Sequence, residues 1–174
     1  LKLTFPKGFA DKITKNLPEL VERIVAHAEF KNSRLLSKSD GKKSNSIRGI
    51  PKLCDASLAG GRKSKECILI LTEGDSAKTM AISGLAAVQN GREYYGVFPL
   101  KGKLPNVKGM THQKVASNTE ISALKKILGL KSGIIYTNTG KWPLRYGKIL
   151  VMTDQDVDGS HIKGLLANIF HTHW

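Results

Sequence analysis

Two stretches carry most of the chemistry this chain can do. In Val151-Met152-Thr153-Asp154-Gln155-Asp156-Val157-Asp158-Gly159-Ser160-His161 three carboxylates stand at alternate positions. About eighty residues earlier, Leu71-Thr72-Glu73-Gly74-Asp75-Ser76-Ala77 places two more around a glycine. A chain leaving a strand with period 2 aims alternate side chains to one side, so Asp154, Asp156 and Asp158 are expected close enough to share a hard cation. Carboxylates that close repel one another, and without a cation some would take up protons. A divalent metal removes that conflict, with Glu73 as the fourth oxygen donor. Magnesium suits the set best, because it uses one or two carboxylates, keeps waters and binds phosphate oxygens.

Other readings of the aspartates compete with this one. Asp154, Asp156, Asp158 and Gly159 match the first half of a calcium-binding EF-hand loop, but the twelfth position is Leu165 where a bidentate glutamate is required, which excludes it. An Asp-x-Asp phosphohydrolase nucleophile after a strand fits locally and would need further downstream elements. A solvated acidic turn capping a helix also fits, since carboxylates are favoured at helix N-termini. The paired Glu73 stretch shifts the balance towards a metal site.

The elements that must position these acids follow from the apolar runs. Cys67 to Leu71 and Lys148 to Met152 end abruptly in carboxylates and pass into helical patterns, the form of strand-to-helix turns at the carboxyl edge of a parallel sheet, where two distant motifs can meet. Tyr94 to Leu100 reads as another strand ended by Pro99, with the basic turn Lys101 to Lys108 on the same edge if that strand is parallel. A helix after Glu73 puts Ala77, Met80, Ala81, Leu85 and Val88 on one face and stops near Asn90-Gly91. Ser117-Asn118-Thr119-Glu120 is a capping box opening a helix with Ile121, Leu124, Ile127 and Leu128, closed by Gly129. Lys131 to Tyr146 reads as a loop. The last helix, from about Ser160, carries Ile162, Leu165, Leu166, Ile169 and Phe170 as core, with His171 and His173 at its fraying end. Upstream, residues 1 to about 10 are expected to be irregular or a strand end. A packed amphipathic helix opens near Asn16 and Pro18, with Leu17, Leu20, Val21, Ile24, Val25 and Ala28 on its face. Lys38 to Arg48, polar, basic and rich in serine, reads as a linker or flexible surface segment. Gly49 to Gly61 lacks the spacing of a phosphate loop, so no nucleotide site is assigned there.

Composition bounds the rest. The 174 residues, 40% of them hydrophobic, suffice for about one domain with an extension. The chain opens on Leu and is expected to be a piece of a longer protein. No apolar run approaches the ~20 residues of a membrane-spanning helix, so no membrane partner is expected. Cys54 and Cys67 form neither a disulfide framework nor zinc-ligand spacing. Lys and Arg number 28 against 14 Asp and Glu, a formal charge of +14 that calls for a polyanionic partner. From Cys67 onward there are seven acidic residues, and five of them are Glu73, Asp75, Asp154, Asp156 and Asp158. An acidic site in a basic surface is what phosphodiester chemistry needs: cations hold the backbone while a metal stabilises charge at the reacting phosphate.

Glu73-Gly74-Asp75-Ser76-Ala77, Pro99-Leu100-Lys101-Gly102-Lys103 and Asp154-Gln155-Asp156-Val157-Asp158-Gly159-Ser160-His161-Ile162 resemble, in order and spacing, the TOPRIM region of type IIA DNA topoisomerases. Thr153-Asp154-Gln155-Asp156, Leu144-Arg145-Tyr146-Gly147 and Gly49-Ile50-Pro51-Lys52-Leu53 resemble the eukaryotic branch. The resemblance implies an α/β, Rossmann-like fold with a small parallel sheet between helices, preceded by a helical extension. Residues 1–50 would be the end of the transducer segment and its connecting helix, and residues 51–174 the TOPRIM domain. It implies an ATP-driven, homodimeric, nuclear enzyme that cuts both strands of double-stranded DNA, passes another duplex through and reseals the break. Glu73, Asp154 and Asp156 would hold the principal Mg2+, with Mn2+ or Ca2+ as substitutes, and Asp158 would help a second ion. Glu73 would also transfer a proton during religation. Lys101, Lys103, Asn106 and His161 would lie along the DNA backbone. The nucleophilic tyrosine and the ATP site would lie outside this chain. Lys101 stands where the family has Arg, so a point charge replaces a bidentate fork, and Pro105 stands where Leu is expected. These departures carry a second expectation, a truncated or divergent copy that binds DNA or a partner without catalysis.

Overall fold

Ile68-Leu69-Ile70-Leu71-Thr72 is too apolar for a half-exposed strand, and it forms the centre of the sheet. In the computed structural model, which describes residues 4, 6–137, 140 and 142–174, strand β1 (Ile68–Glu73) lies between β2 (Tyr95–Leu100) and β3 (Lys148–Met152), all parallel. The strand positions match the sequence expectation within two residues. Register pairs Glu73 with Leu100 and Thr72 with Met152, so the three strands end together at one edge.

Side chains alternate across this sheet. Leu69, Leu71, Phe98 and Leu100 enter the larger core beneath helices α6 (Thr119–Leu128) and α7 (Val157–His173). Ile70 and Val97 face the other way, onto Ala81 and Leu85 of α3 (Gly74–Leu85). Each fully buried Leu or Ile contributes about 1.5–3 kcal/mol over exposure. Asn118 caps α6, its Oδ1 accepting the Ile121 N–H at 2.9 Å, and Gly129 closes it in the left-handed region. Pro99 does not end β2 but sits within it. An outer strand tolerates a residue without an N–H, and the order β2-β1-β3 makes β2 an outer strand. On its far side, among the described residues, β2 meets only the short antiparallel bridge of Cys54 to Val97.

Several expectations are corrected. The helix after Glu73 ends at Leu85, with short α4 (Gly91–Tyr94) following; Met80 and Val88, placed on its core face from the sequence, are exposed. Helix α1 (Phe9–Asn16) occupies part of the stretch expected to be irregular; of the rest, residues 1–3 and 5 lie outside the described residues. Helix α2 (Pro18–Ser37) forms as its periodicity requires but buries none of its residues, and Leu17, Leu20, Ile24, Val25 and Phe30 face outward. A short α5 (His112–Ser117) was also not foreseen. His173 is not at a fraying end: it is partly buried beside Trp174, and that burial lowers its pKa.

Lys38–Arg48 is not a free linker either. Lys125 of α6, nearly fully buried, pairs with Asp40 at 2.8 Å and donates to Leu36 O, Ser39 Oγ and Ser132 Oγ. Farther along, the Ser44 carbonyl accepts from Arg145 Nε at 2.6 Å. The Arg145 guanidinium, fully buried, grips Asp55 through both terminal nitrogens, and Tyr146 Oη donates to the same carboxylate at 2.5 Å while accepting from the Ala56 N–H. These polar contacts fasten residues 39–56 to α6 and to the loop that leads into β3. The loop expectation for 131–146 holds for its secondary structure, although Asn138, Thr139 and Lys141 lie outside the described residues.

Burial, with the bond to Asp55 behind it, pushes the Tyr146 phenol far above its ordinary range. A raised folded pKa gives stability that is complete below the unfolded value and is lost as pH climbs past it. Above about pH 10 the unfolded chain releases this proton and the folded chain keeps it, so stability should fall by up to about 1.4 kcal/mol per pH unit from this group. Urea unfolding on both sides of that pH should show Tyr146→Phe lacking this part of the slope. An identical slope in the variant would refute the assignment.

Candidate metal and phosphate site at the sheet edge

Glu73 is the last residue of the central strand, and the chain must turn at once to start α3. Gly74 makes that turn at φ 79°, a left-handed conformation that costs a side-chain-bearing residue about 1 kcal/mol or more. Asp75 follows in the first helical turn, where a carboxylate suits the helix dipole. Lys52, itself at φ 66°, ion-pairs with Asp75. This bond, with smaller help from Lys78 and Lys101, holds the Asp75 carboxyl below the usual carboxylate range.

Across the edge, β3 ends at Met152 and α7 opens at Val157, so the period-2 expectation for the aspartates fails. Asp156 is instead the N-cap, its Oδ1 accepting the Gly159 N–H at 2.7 Å, and Asp158 lies in the first turn. Gly159 is required here: a Cβ would stand 2.2 Å from the Asp154 carbonyl oxygen. The helix-capping reading of the acidic run thus describes Asp156 and Asp158, and Asp154 remains an exposed loop carboxylate.

The two motifs do meet. Glu73 Oε2 accepts the Asp154 N–H at 3.4 Å. Lys103, from the basic turn after β2, donates to Asp158 Oδ1 at 2.8 Å, and this bond raises its pKa, with the Asp156 and Glu73 carboxylates adding to the effect. The same bond lowers the Asp158 carboxyl, with a smaller contribution from His161. Lys103 therefore stands in the joint field of three acids from two strand ends. Lys101 is exposed beside Asp75; His161 is exposed one turn into α7. Asn106 is exposed, its Oδ1 accepting the Lys108 N–H of its own loop.

Among the described residues, no three His, Cys, Asp or Glu side chains gather closely enough to hold a metal as they stand. The donor set nonetheless fits a hard cation. Glu73, Asp154 and Asp156 offer carboxylate oxygens at one edge, and the ion pairs among the described residues fall on Asp40, Asp55, Asp75 and Asp158 instead. The Lys103 ammonium already rests in the field of Glu73 and Asp156. Sequence reasoning missed Lys52, whose partnership with Asp75 arises only from the fold.

Comparison with known proteins identifies the family of the chain. Residues 68–173 match the family described as Toprim domain. The chain is 50% identical over 174 residues to DNA topoisomerase 2 of Drosophila melanogaster, covering 99% of this chain and 12% of that protein. It is 54% identical over 157 residues to human DNA topoisomerase 2-alpha, covering 89% of this chain and 10% of the relative. The chain thus spans only about an eighth of such relatives or less. The crystal structure of the Plasmodium falciparum topoisomerase II DNA-binding, cleavage and re-ligation domain superposes with a TM-score of 0.70 at 52% identity, over 75% of this chain and 18% of that one.

Proposed function

Since this chain belongs to the Toprim family, we propose that it is the metal-binding part of an ATP-dependent type IIA DNA topoisomerase that makes and reseals a transient double-strand break. The observation that supports this most is the meeting of the Glu73 carboxylate with the Asp154 loop at the carboxyl edge of the sheet, ringed by Lys101, Lys103 and His161. Residues 1–50 would be the end of the transducer segment and its connecting helix, and 51–174 the Toprim domain. The complete enzyme would be a nuclear homodimer that takes its nucleophilic tyrosine and ATP site from segments outside this chain.

Glu73, Asp154 and Asp156 would hold Mg2+, with Asp158 reaching a second ion. When bound, the ion would supply charge stabilisation at the reacting phosphate. Lys101 and Lys103 hold backbone phosphates as point charges, a role that weakens with salt. Lys103 releases Asp158 as it turns to DNA, which couples occupation of the phosphate site to that carboxylate. His161 and Asn106 extend the contact along the backbone. Glu73 takes or returns a proton through its carboxylate as the break reseals.

An NMR titration of the chain with Mg2+, beside Asp156→Asn, tests the reading. Asparagine keeps the helix cap and removes one charge. Saturable shifts at the Gly74 and Asp154 amides are expected, with affinity lowered at least about tenfold in the variant. A folded sample without saturable shifts, or a variant that titrates identically, would overturn the proposal.

A further inference from the structure

Beside the acid edge lies a cleft of about 410 Å³ between the Gly49–Lys52 turn, the end of β2 and the start of α6. Such a volume falls in the ~300–1,000 Å³ range of small-molecule sites. Ile50, Pro51, Phe98 and Pro99 make part of its lining apolar. Lys52, Lys101 and Lys126 stand around it, three ammonium groups against the carboxylate of Glu120. Lys52 is held by Asp75, while Lys101 and Lys126 are exposed and carry no ion pair among the described residues.

An apolar surface framed by ammonium groups matches a flat ring that carries a phosphate. A duplex does not present that combination along its length, because its base faces are stacked inside and only base edges, sugars and phosphates are exposed; an unpaired nucleotide does. A second groove, of about 380 Å³, shares Ser117, Ser122 and Lys126 with the first and continues to Lys38 at the end of α2. A strand leaving the first cleft past Lys126 therefore meets another cation. Lys101 joins the cleft to the acid edge, since its charge is felt at Asp75, two residues from Glu73.

We propose that this cleft seats an unpaired nucleotide of a DNA strand, with the ring on the apolar lining and the phosphate on Lys101 and Lys126, and the next phosphate directed toward Lys38. The source of the strand rests on the DNA reading above; the cleft itself does not.

Calorimetry of the chain with dAMP, a short single-stranded oligo(dA) and a blunt duplex tests it. Saturable binding of dAMP is expected, with oligo(dA) about tenfold tighter. Lys126→Glu and the cleft-filling Ser122→Trp should each weaken both by about tenfold or more, whereas Lys12→Glu on α1, which makes the same charge change elsewhere, should not. Lys126 is exposed, so its variant keeps the test valid if the tryptophan variant fails to fold. The idea is overturned by absence of binding, by equal losses in Lys12→Glu and Lys126→Glu, or by dAMP binding with no gain for oligo(dA), which would mark a free-nucleotide site. Nucleotide binding without a Mg2+ response would sink the metal reading alone, and a Mg2+ response without nucleotide binding would sink this one alone.

Discussion

Replacing Arg145 with alanine is expected to destabilise the protein by about 3–5 kcal/mol, seen as a lower urea midpoint with little change in slope. The side chain is fully buried, and four acceptor groups depend on it: both Asp55 oxygens, the Ser44 carbonyl and the Ile127 carbonyl. Truncation leaves the Asp55 charge partly buried with Tyr146 and no cation, and strands the two carbonyls. Lysine is not an adequate substitute, since one ammonium cannot reproduce a planar fork that reaches three separate segments. The damage should extend to the Gly49–Lys52 turn, which hangs between Ser44 and Asp55. An Arg145→Ala midpoint equal to that of the parent chain would show that the network contributes specificity without stability.

The second large effect is chemical. In a full-length type II topoisomerase carrying this chain, Glu73→Ala should lower Mg2+-dependent DNA cleavage at least about hundredfold, because several kcal/mol of charge stabilisation depend on the site it anchors. DNA affinity should change little, since Glu73 is an acid on a basic surface and Lys101 and Lys103 remain. Plasmid linearisation and filter binding measured side by side separate these outcomes. Cleavage at the parent rate would end the metal assignment, and a parallel loss of binding would point to a collapsed strand end instead. Folding should survive the change, as Glu73 makes one long hydrogen bond and lies at the rim of the sheet.

The sheet, α6 and α7 were legible in the sequence because each buries a continuous apolar run whose period states its type. The meeting of Glu73 with the Asp154 loop was legible too, since parallel strands must end on a common edge. The geometry of the aspartates was not. Period 2 holds only while the strand lasts, and here the N-cap demand of α7 takes Asp156 four residues after β3 ends. Helix α2 shows another limit: periodicity reveals that a helix has an apolar face and says nothing of what covers it. The misread linker shows a third. Asp40 and Asp55 look like solvated loop residues until Lys125 and Arg145, each more than eighty positions away, are brought against them.

The order β2-β1-β3 gives the two halves of the candidate centre unequal footing. Glu73 ends the strand that is bonded on both sides, whereas Asp154 and Asp156 follow β3, an outer strand whose Ile149 and Leu150 side chains are exposed. Amide hydrogens should therefore exchange faster along β3 than along β1. On the proposed metal reading the glutamate would be the fixed jaw of the centre and the aspartate loop the moving one, and closing on a cation would displace the loop toward the strand.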